Sequence, residues 1–246
     1  MRIETEAIVV ALRPHGEHGA IVRLMTPENG LQHCYVRGAR GKGLRPVLVP
    51  GNLVQASIAA RTDTQLGQGV IELVHSRGPL LGEPLPAAAI DWCSALTATV
   101  LPEGQSYPRL FAALEGLLGA IEAAPSAHGW GSSLVRFELL LLAELGFGLD
   151  LSSCAASGTT EDLVAVSPRS GRAVSASEAA PYHGRLLRLP AFLREGRQAR
   201  DWGEILDGLA LSGHFIERDV LVDRSRTIME SRTRLIDRLH RAAGIA

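Results

Sequence analysis

The sequence predicts an α+β protein: a small five-stranded β-barrel, then a helical domain carrying a short β-hairpin insertion. Three observations predict it. Short β-branched runs separated by turn residues fill the first 78 positions, and helical periodicity takes over after Pro79. A segment rich in Gly, Ser and Thr then interrupts the helices at 151–182. The chain is 246 residues long, 46% hydrophobic and 21% charged, so it has enough apolar material to fold and is not a disordered polymer.

The expected strands are EAIVVALR (6–13), AIVRLMT (20–26), LQHCYVRG (31–38), NLVQASIAAR (52–61) and GVIELVHS (69–76). RPHGEHG, PENG, GARGKGLRPVLVPG and DTQLGQ lie between them and read as turns. Five strands of this length fit a closed OB-type barrel, and an SH3-like barrel fits the pattern nearly as well. PLLGEPLP is a linker, which divides the chain into domains at 1–78 and 79–246. Apolar spacing of i, i+3, i+4 marks helices over 87–101, 107–124 and 132–148, with later helices over 201–220 and 225–244. Within the second domain, 152–184 has the texture of a zinc ribbon but lacks its ligands: Cys154 is followed by Ala155, Ala156 and Ser157, and the strand SPRSGRAVS holds no cysteine. One thiolate cannot hold a structural zinc that needs four ligands. No zinc and no other cofactor is therefore expected. Hydrogen bonds and packing must hold the hairpin, with Asp150 and Thr159 assisting at its turns.

A net charge of −1 conceals an uneven distribution. Residues 1–79 sum to +3, residues 80–184 to −7 and residues 185–246 to +3. The charge gathers most densely in RGARGKGLR (37–45), four cations and three glycines without an acid. A glycine-rich cationic loop between barrel strands can follow a phosphate backbone and release its condensed counterions. Arg23, Arg37 and Arg61 sit on neighbouring strands, with Arg40, Lys42 and Arg45 on the loop, so together they can line one groove. Tyr35 or His33 offers a ring on which a base can stack.

Catalysis has no footing. No dinucleotide or P-loop motif is present, and no nucleophile has a partner. The HGEH of His15–His18 reads as an exposed turn, Glu161 and Asp162 as a solvated one, and Cys34 and Cys93 as small buried residues. Three cysteines, widely spaced, form no disulfide framework. The N-terminus is no signal peptide and no apolar run spans a membrane, so a cytoplasmic protein is expected. Arg136 stands out as the basic residue of the apolar helix VRFELLLL. It can receive a carboxylate from a partner peptide beside Phe137 or Phe147, or pair internally with Glu138 or Glu144. Arg224, Arg226, Arg232, Arg234, Arg238 and Arg241 alternate with acids on the last helix, as on a solvated face with i,i+4 pairs.

Taken in order, TEAIVVALRPHGEHGAIVRLMTPENGL, VRGAR, PGNLVQ, YPRLFAALEGLL and VRFELLLLAELGFGLDLSSCAASG resemble the bacterial RecO recombination mediators over nearly the whole chain. The resemblance implies an OB-fold domain, a helical domain and no turnover. It implies binding of single- and double-stranded DNA and annealing of strands coated with single-strand binding protein. It also implies joint action with RecR to load RecA, and recognition of the acidic tail of single-strand binding protein, the role expected of Arg136 and Phe137. The chain alone is expected to be monomeric. Competing readings are a protein adaptor with an incidental basic loop, or an OB protein that binds RNA.

Overall fold

The computed structural model describes residues 2–62, 65–124, 126–182, 184–221 and 226–245. Five strands close a barrel: β1 (Arg2–His15), β2 (Gly19–Thr26), β3 (Gly30–Val36), β4 (Leu53–Ala59) and β5 (Gly67–His75). The order around it is β1-β2-β3-β5-β4, with β1 pairing both β2 and β4. Strand β1 serves two neighbours because its register shifts between Val9 and Ala11, where the strand bends. Closure rests on a short parallel contact, Cys34 to Gly67 and Tyr35 to Gln68, between β3 and β5. This ordering and its parallel closure are those of an OB barrel, which removes the SH3-like alternative. Alternate residues Val22, Leu24, Cys34, Val36, Val54, Ala56 and Ile58 fill the interior, and Ala39 and Leu48 from the β3–β4 connection cap it.

By contacts the chain falls into two units, Met1–Glu122 with Arg226–Leu239, and Ala123–Ser225 with His240–Ala246. In the first, the barrel is joined by α1 (Pro84–Val100), α2 (Pro108–Ala123) and most of α7 (Arg226–Ala242). Buried Arg77, which follows β5, donates to the Gly51 carbonyl at 2.8 Å and to Glu115 on α2 at 2.7 Å, so its charge is neutralised where it is desolvated. Its backbone N–H donates to the Asn52 side chain at 2.8 Å. On α7, Ser231 donates to Asp91 of α1, and the Arg232 guanidinium lies 5.6 Å from the Trp92 ring centre. Arg224 lies outside the described residues.

The second unit is built on α3 (His128–Glu144) and α6 (Trp202–Phe215), linked through α5 (Ala191–Glu195). A Cβ added at Gly131 would lie 2.8 Å from Ile205, so the absence of a side chain lets the two helices approach closely. Buried Glu138 accepts from Ser212 across them. The predicted helix 201–220 departs from α-geometry at Ile216–Val220, a π-helical turn in which Leu221 N–H donates to Ile216 O at 3.0 Å. That turn keeps Phe215, Ile216 and Leu221 all buried, while Arg218 lies over the Phe215 ring and donates to the Pro168 and Arg169 carbonyls.

The insertion holds the expected hairpin, β6 (Leu163–Val166) and β7 (Ala173–Ser175), followed by the short helix α4 (Ala176–Ala179). A two-residue strand β8 (Leu187–Arg188), not expected from sequence, pairs with β6 to make the order β7-β6-β8. Asp150 accepts from Ser152 and Arg172, Thr159 Oγ1 accepts from Glu161 N–H, and Cys154 N–H donates to Thr159 O at 2.7 Å. Among the described residues no three His, Cys, Asp or Glu side chains are arranged to hold a metal. None of the described helices is long and apolar enough to cross a membrane.

Candidate nucleic-acid interface

Side chains that do not point into the barrel core point out of it, and this alternation builds the candidate face. Val22 and Leu24 are core, so Arg23 between them faces outward; Cys34 and Val36 are core, so His33 and Tyr35 do the same. Arg23 pairs with His33 and Ile21 with Tyr35 in the β2–β3 ladder. OB barrels present this pair of strands, with the β1–β2 and β4–β5 connections, to oligonucleotides; here the basic β3–β4 loop adjoins that face at the tip of the β1–β2 hairpin.

The two ends of the face follow from strand direction. Because β3 and β5 run parallel with Cys34 beside Gly67, the β4–β5 connection lies toward the start of β3, and the basic loop leaves its end. Exposed Arg61 opens the first connection, while Arg37, Arg40, Lys42 and Arg45 are exposed on the second. The predicted cations therefore flank both ends of one face instead of forming one cluster. Among the described residues no carboxylate pairs with the four loop cations.

Local contacts organise the loop end. Arg40 N–H donates to His18 O at 3.4 Å and its guanidinium to Glu17 O at 3.1 Å, tying the loop to the tip of the β1–β2 hairpin. Tyr35 stands edge-on to His15, ring centres 5.9 Å apart. A side chain at Gly19 would overlap the Tyr35 ring, 2.3 Å from its Cβ, so glycine there leaves the ring its place. Tyr35, Val36, Arg37, Leu44, Gln68 and Val70 line a groove of 310 Å³ between β3 and β5, and Val70 is 66% exposed in its wall. Apolar surface, an aromatic ring and a guanidinium in one open groove suit an unpaired base followed by its phosphate.

Arg23 differs from the others. It donates to Ala98 O at 2.5 Å and to Glu103 at 2.8 Å, so the free protein already occupies its guanidinium. Sequence reasoning missed Glu103, which lies 80 positions from Arg23 in a linker with no periodicity to mark it. Gln68 and the outward half of β5 were missed as well, because their role depends on which strand closes the barrel.

The second expected site lies in the other unit. The Arg136 guanidinium donates to the carbonyls of Phe192 and Arg197 and sits 5.3 Å from the Phe192 ring centre. Partial burial holds its pKa below the usual arginine value. Phe137, one residue on and about 100° round α3, is 1% exposed, so it is part of the helical core and not of a surface pocket. Phe147 is 43% exposed. Burial pushes the thiols of Cys34 and Cys93 up to about 12, which leaves both protonated and inert at neutral pH.

Comparison with known proteins gives one answer along the chain. The family model for the N-terminal part of recombination protein O matches residues 1–77, and that for its C-terminal part matches residues 85–226. The DNA repair protein RecO of Phenylobacterium zucineum (strain HLK1) is 44% identical over 244 residues, covering 98% of this chain and 99% of the relative. That of Rhodospirillum rubrum is 46% identical over 240 residues, covering 95% and 94%.

Proposed function

The chain belongs to the RecO family of DNA repair proteins, and on that premise we propose that it is a recombination mediator that binds single-stranded DNA across the barrel, without catalytic turnover. Arg37, Arg40, Lys42 and Arg45 neutralise backbone phosphates at one end of the face, Tyr35 stacks on a base, and Arg61 and Arg23 extend the track. The observation that carries this reading is the set of four exposed loop cations, without a carboxylate partner among the described residues, beside an aromatic groove. The bound strand is presented for annealing while coated with single-strand binding protein, and double-stranded DNA engages the same cations. Joint action with RecR to load RecA completes the role. Arg136 takes a carboxylate of the acidic tail of single-strand binding protein beside the Phe192 ring.

The test is fluorescence anisotropy of a labelled single-stranded oligonucleotide titrated at several salt concentrations. With Arg37, Arg40, Lys42 and Arg45 all changed to alanine, binding should weaken. The logarithmic salt slope should flatten by about three units, since each phosphate contact on a single strand contributes about 0.7. An unchanged slope would make the loop a bystander and move the site to the arginines of α7. Tighter binding to an RNA of matched sequence than to DNA would favour the RNA-binding reading.

A further inference from the structure

Arg23 and His33 are neighbours in the β2–β3 ladder, and both point out of the barrel on its oligonucleotide face. One carboxylate covers them. Glu103 Oε1 accepts from Arg23 Nη2 at 2.8 Å, and Glu103 Oε2 lies 2.8 Å from His33 Nδ1.

Glu103 is held there by backbone, not by a loose tether. Its residue forms a parallel bridge with Leu31 of β3, and Gly104 N–H donates to Leu31 O at 3.0 Å. The same segment presses on the β2–β3 turn so closely that a Cβ at Gly30, where φ is +64°, would lie 1.7 Å from Gln105 O. The chain thus places an acid over the Arg23 guanidinium and the His33 ring on a surface where negative ligands are expected. All three side chains remain between a third and a half exposed, so a ligand can reach them. Beside them Leu31, Gln32, Ile58, Gln65 and Gly67 line a groove of 390 Å³, with room for a base whose phosphate approaches Arg23.

We propose that Glu103 is a counter-ion gate on the nucleic-acid face: it neutralises Arg23 and engages His33 in the free protein, and yields both to a backbone phosphate of bound single-stranded DNA. The carboxylate gives one oxygen to Arg23 and the other to His33, and two oxygens of a phosphate can take the same two places, so the exchange keeps the hydrogen bonds and replaces one anion by another. The gate rests on the reading that DNA lies on the barrel. It sets how much of the face's charge is available before a strand is in place.

The experiment is the same salt-series titration on Glu103→Gln, Arg23→Gln and the double variant, each checked by thermal melting. Glu103→Gln leaves Arg23 uncompensated. It should tighten binding about five-fold at 0.1 M salt and steepen the slope by about 0.7. Arg23→Gln should lose about 0.7 from the slope, and the double variant should show none of the gain. Binding by Glu103→Gln equal to or weaker than the unaltered protein at every salt concentration overturns the gate. Should Glu103→Gln not fold, an unchanged slope in Arg23→Gln overturns it equally. If the four-alanine loop variant loses its slope while Glu103→Gln matches the unaltered protein, the gate falls and the DNA reading stands. If the unaltered protein shows no salt-dependent binding, both fall.

Discussion

Asn52 shows how much one buried polar side chain can organise. It is 0% exposed. Its amide donates to the carbonyls of Pro46 and Val47 at 2.9 and 3.0 Å, and its side-chain oxygen accepts from Arg77 N–H at 2.8 Å. Those bonds fix the end of the β3–β4 connection against the end of β5. Asn52→Ala would remove the bonds to the Pro46 and Val47 carbonyls and leave the buried Arg77 N–H without its acceptor, and a loss of about 2 kcal/mol in urea unfolding is expected. In the second unit, Arg197 donates to both oxygens of Glu204, at 2.7 and 2.8 Å, and Arg200 N–H adds a third bond. Bonding to Arg197 draws the Glu204 carboxyl down from 4.5 to about 2. A depressed carboxyl stabilises the fold fully above its unfolded value, and the benefit fades as pH falls from about 4.5 toward 2. Acid unfolding of Glu204→Gln should therefore depend less steeply on pH in that window than in the unaltered protein. Identical slopes would show that the pair does not act.

Among elements, the insertion and the last helix behave differently. In the insertion hydroxyls surround the one thiol: Ser157 and Ser175 donate to Cys154 and draw it down to about 6, and the Ser175 N–H lies 3.3 Å away. Hydrogen bonds at Asp150 and Thr159 tie its turns. Metal analysis should find less than one zinc per chain, and a chelator should leave the melting curve in place. A drop in melting temperature with chelator would contradict this. Helix α7 is strongly two-sided, with Ile228, Leu235 and Leu239 buried and Glu230, Arg234, Asp237 and Arg241 exposed. Leu239 is 0% exposed, so Leu239→Ala should cost about 3 kcal/mol by calorimetry or denaturant unfolding. Its exposed residues alternate in sign, as on the solvated face expected from sequence, but Arg232, placed on that face by the sequence, is buried against Trp92.

At the scale of the whole molecule, binding and stability should separate. The four loop cations are exposed and make few internal bonds, so their replacement by alanine should move the melting midpoint by less than about 3 °C while flattening the salt slope. A large fall in melting temperature would mean that the loop supports the barrel through more than Ala39 and Leu48. The barrel strands, the main helices and the cationic loop were legible beforehand. Each depends on local periodicity or composition: alternating core residues in β2 and β3, i, i+3, i+4 spacing in α3, and four charges within nine residues. Strand β8 was not legible because two residues carry no period. Neither was the π-turn at Ile216–Val220, which depends on Phe215 and Arg218 meeting the hairpin turn at Pro168. Sequence by itself determined the two textures, the absence of a zinc ligand set and the position of the charge, because these are properties of neighbours along the chain. Tertiary structure alone decided that the barrel closes through β3 and β5, that α7 packs on α1, that Phe137 is core, and that Glu103 covers Arg23. Each of these joins residues far apart in the chain, and local patterning leaves such pairings free; packing of apolar faces and pairing of desolvated charge choose among them.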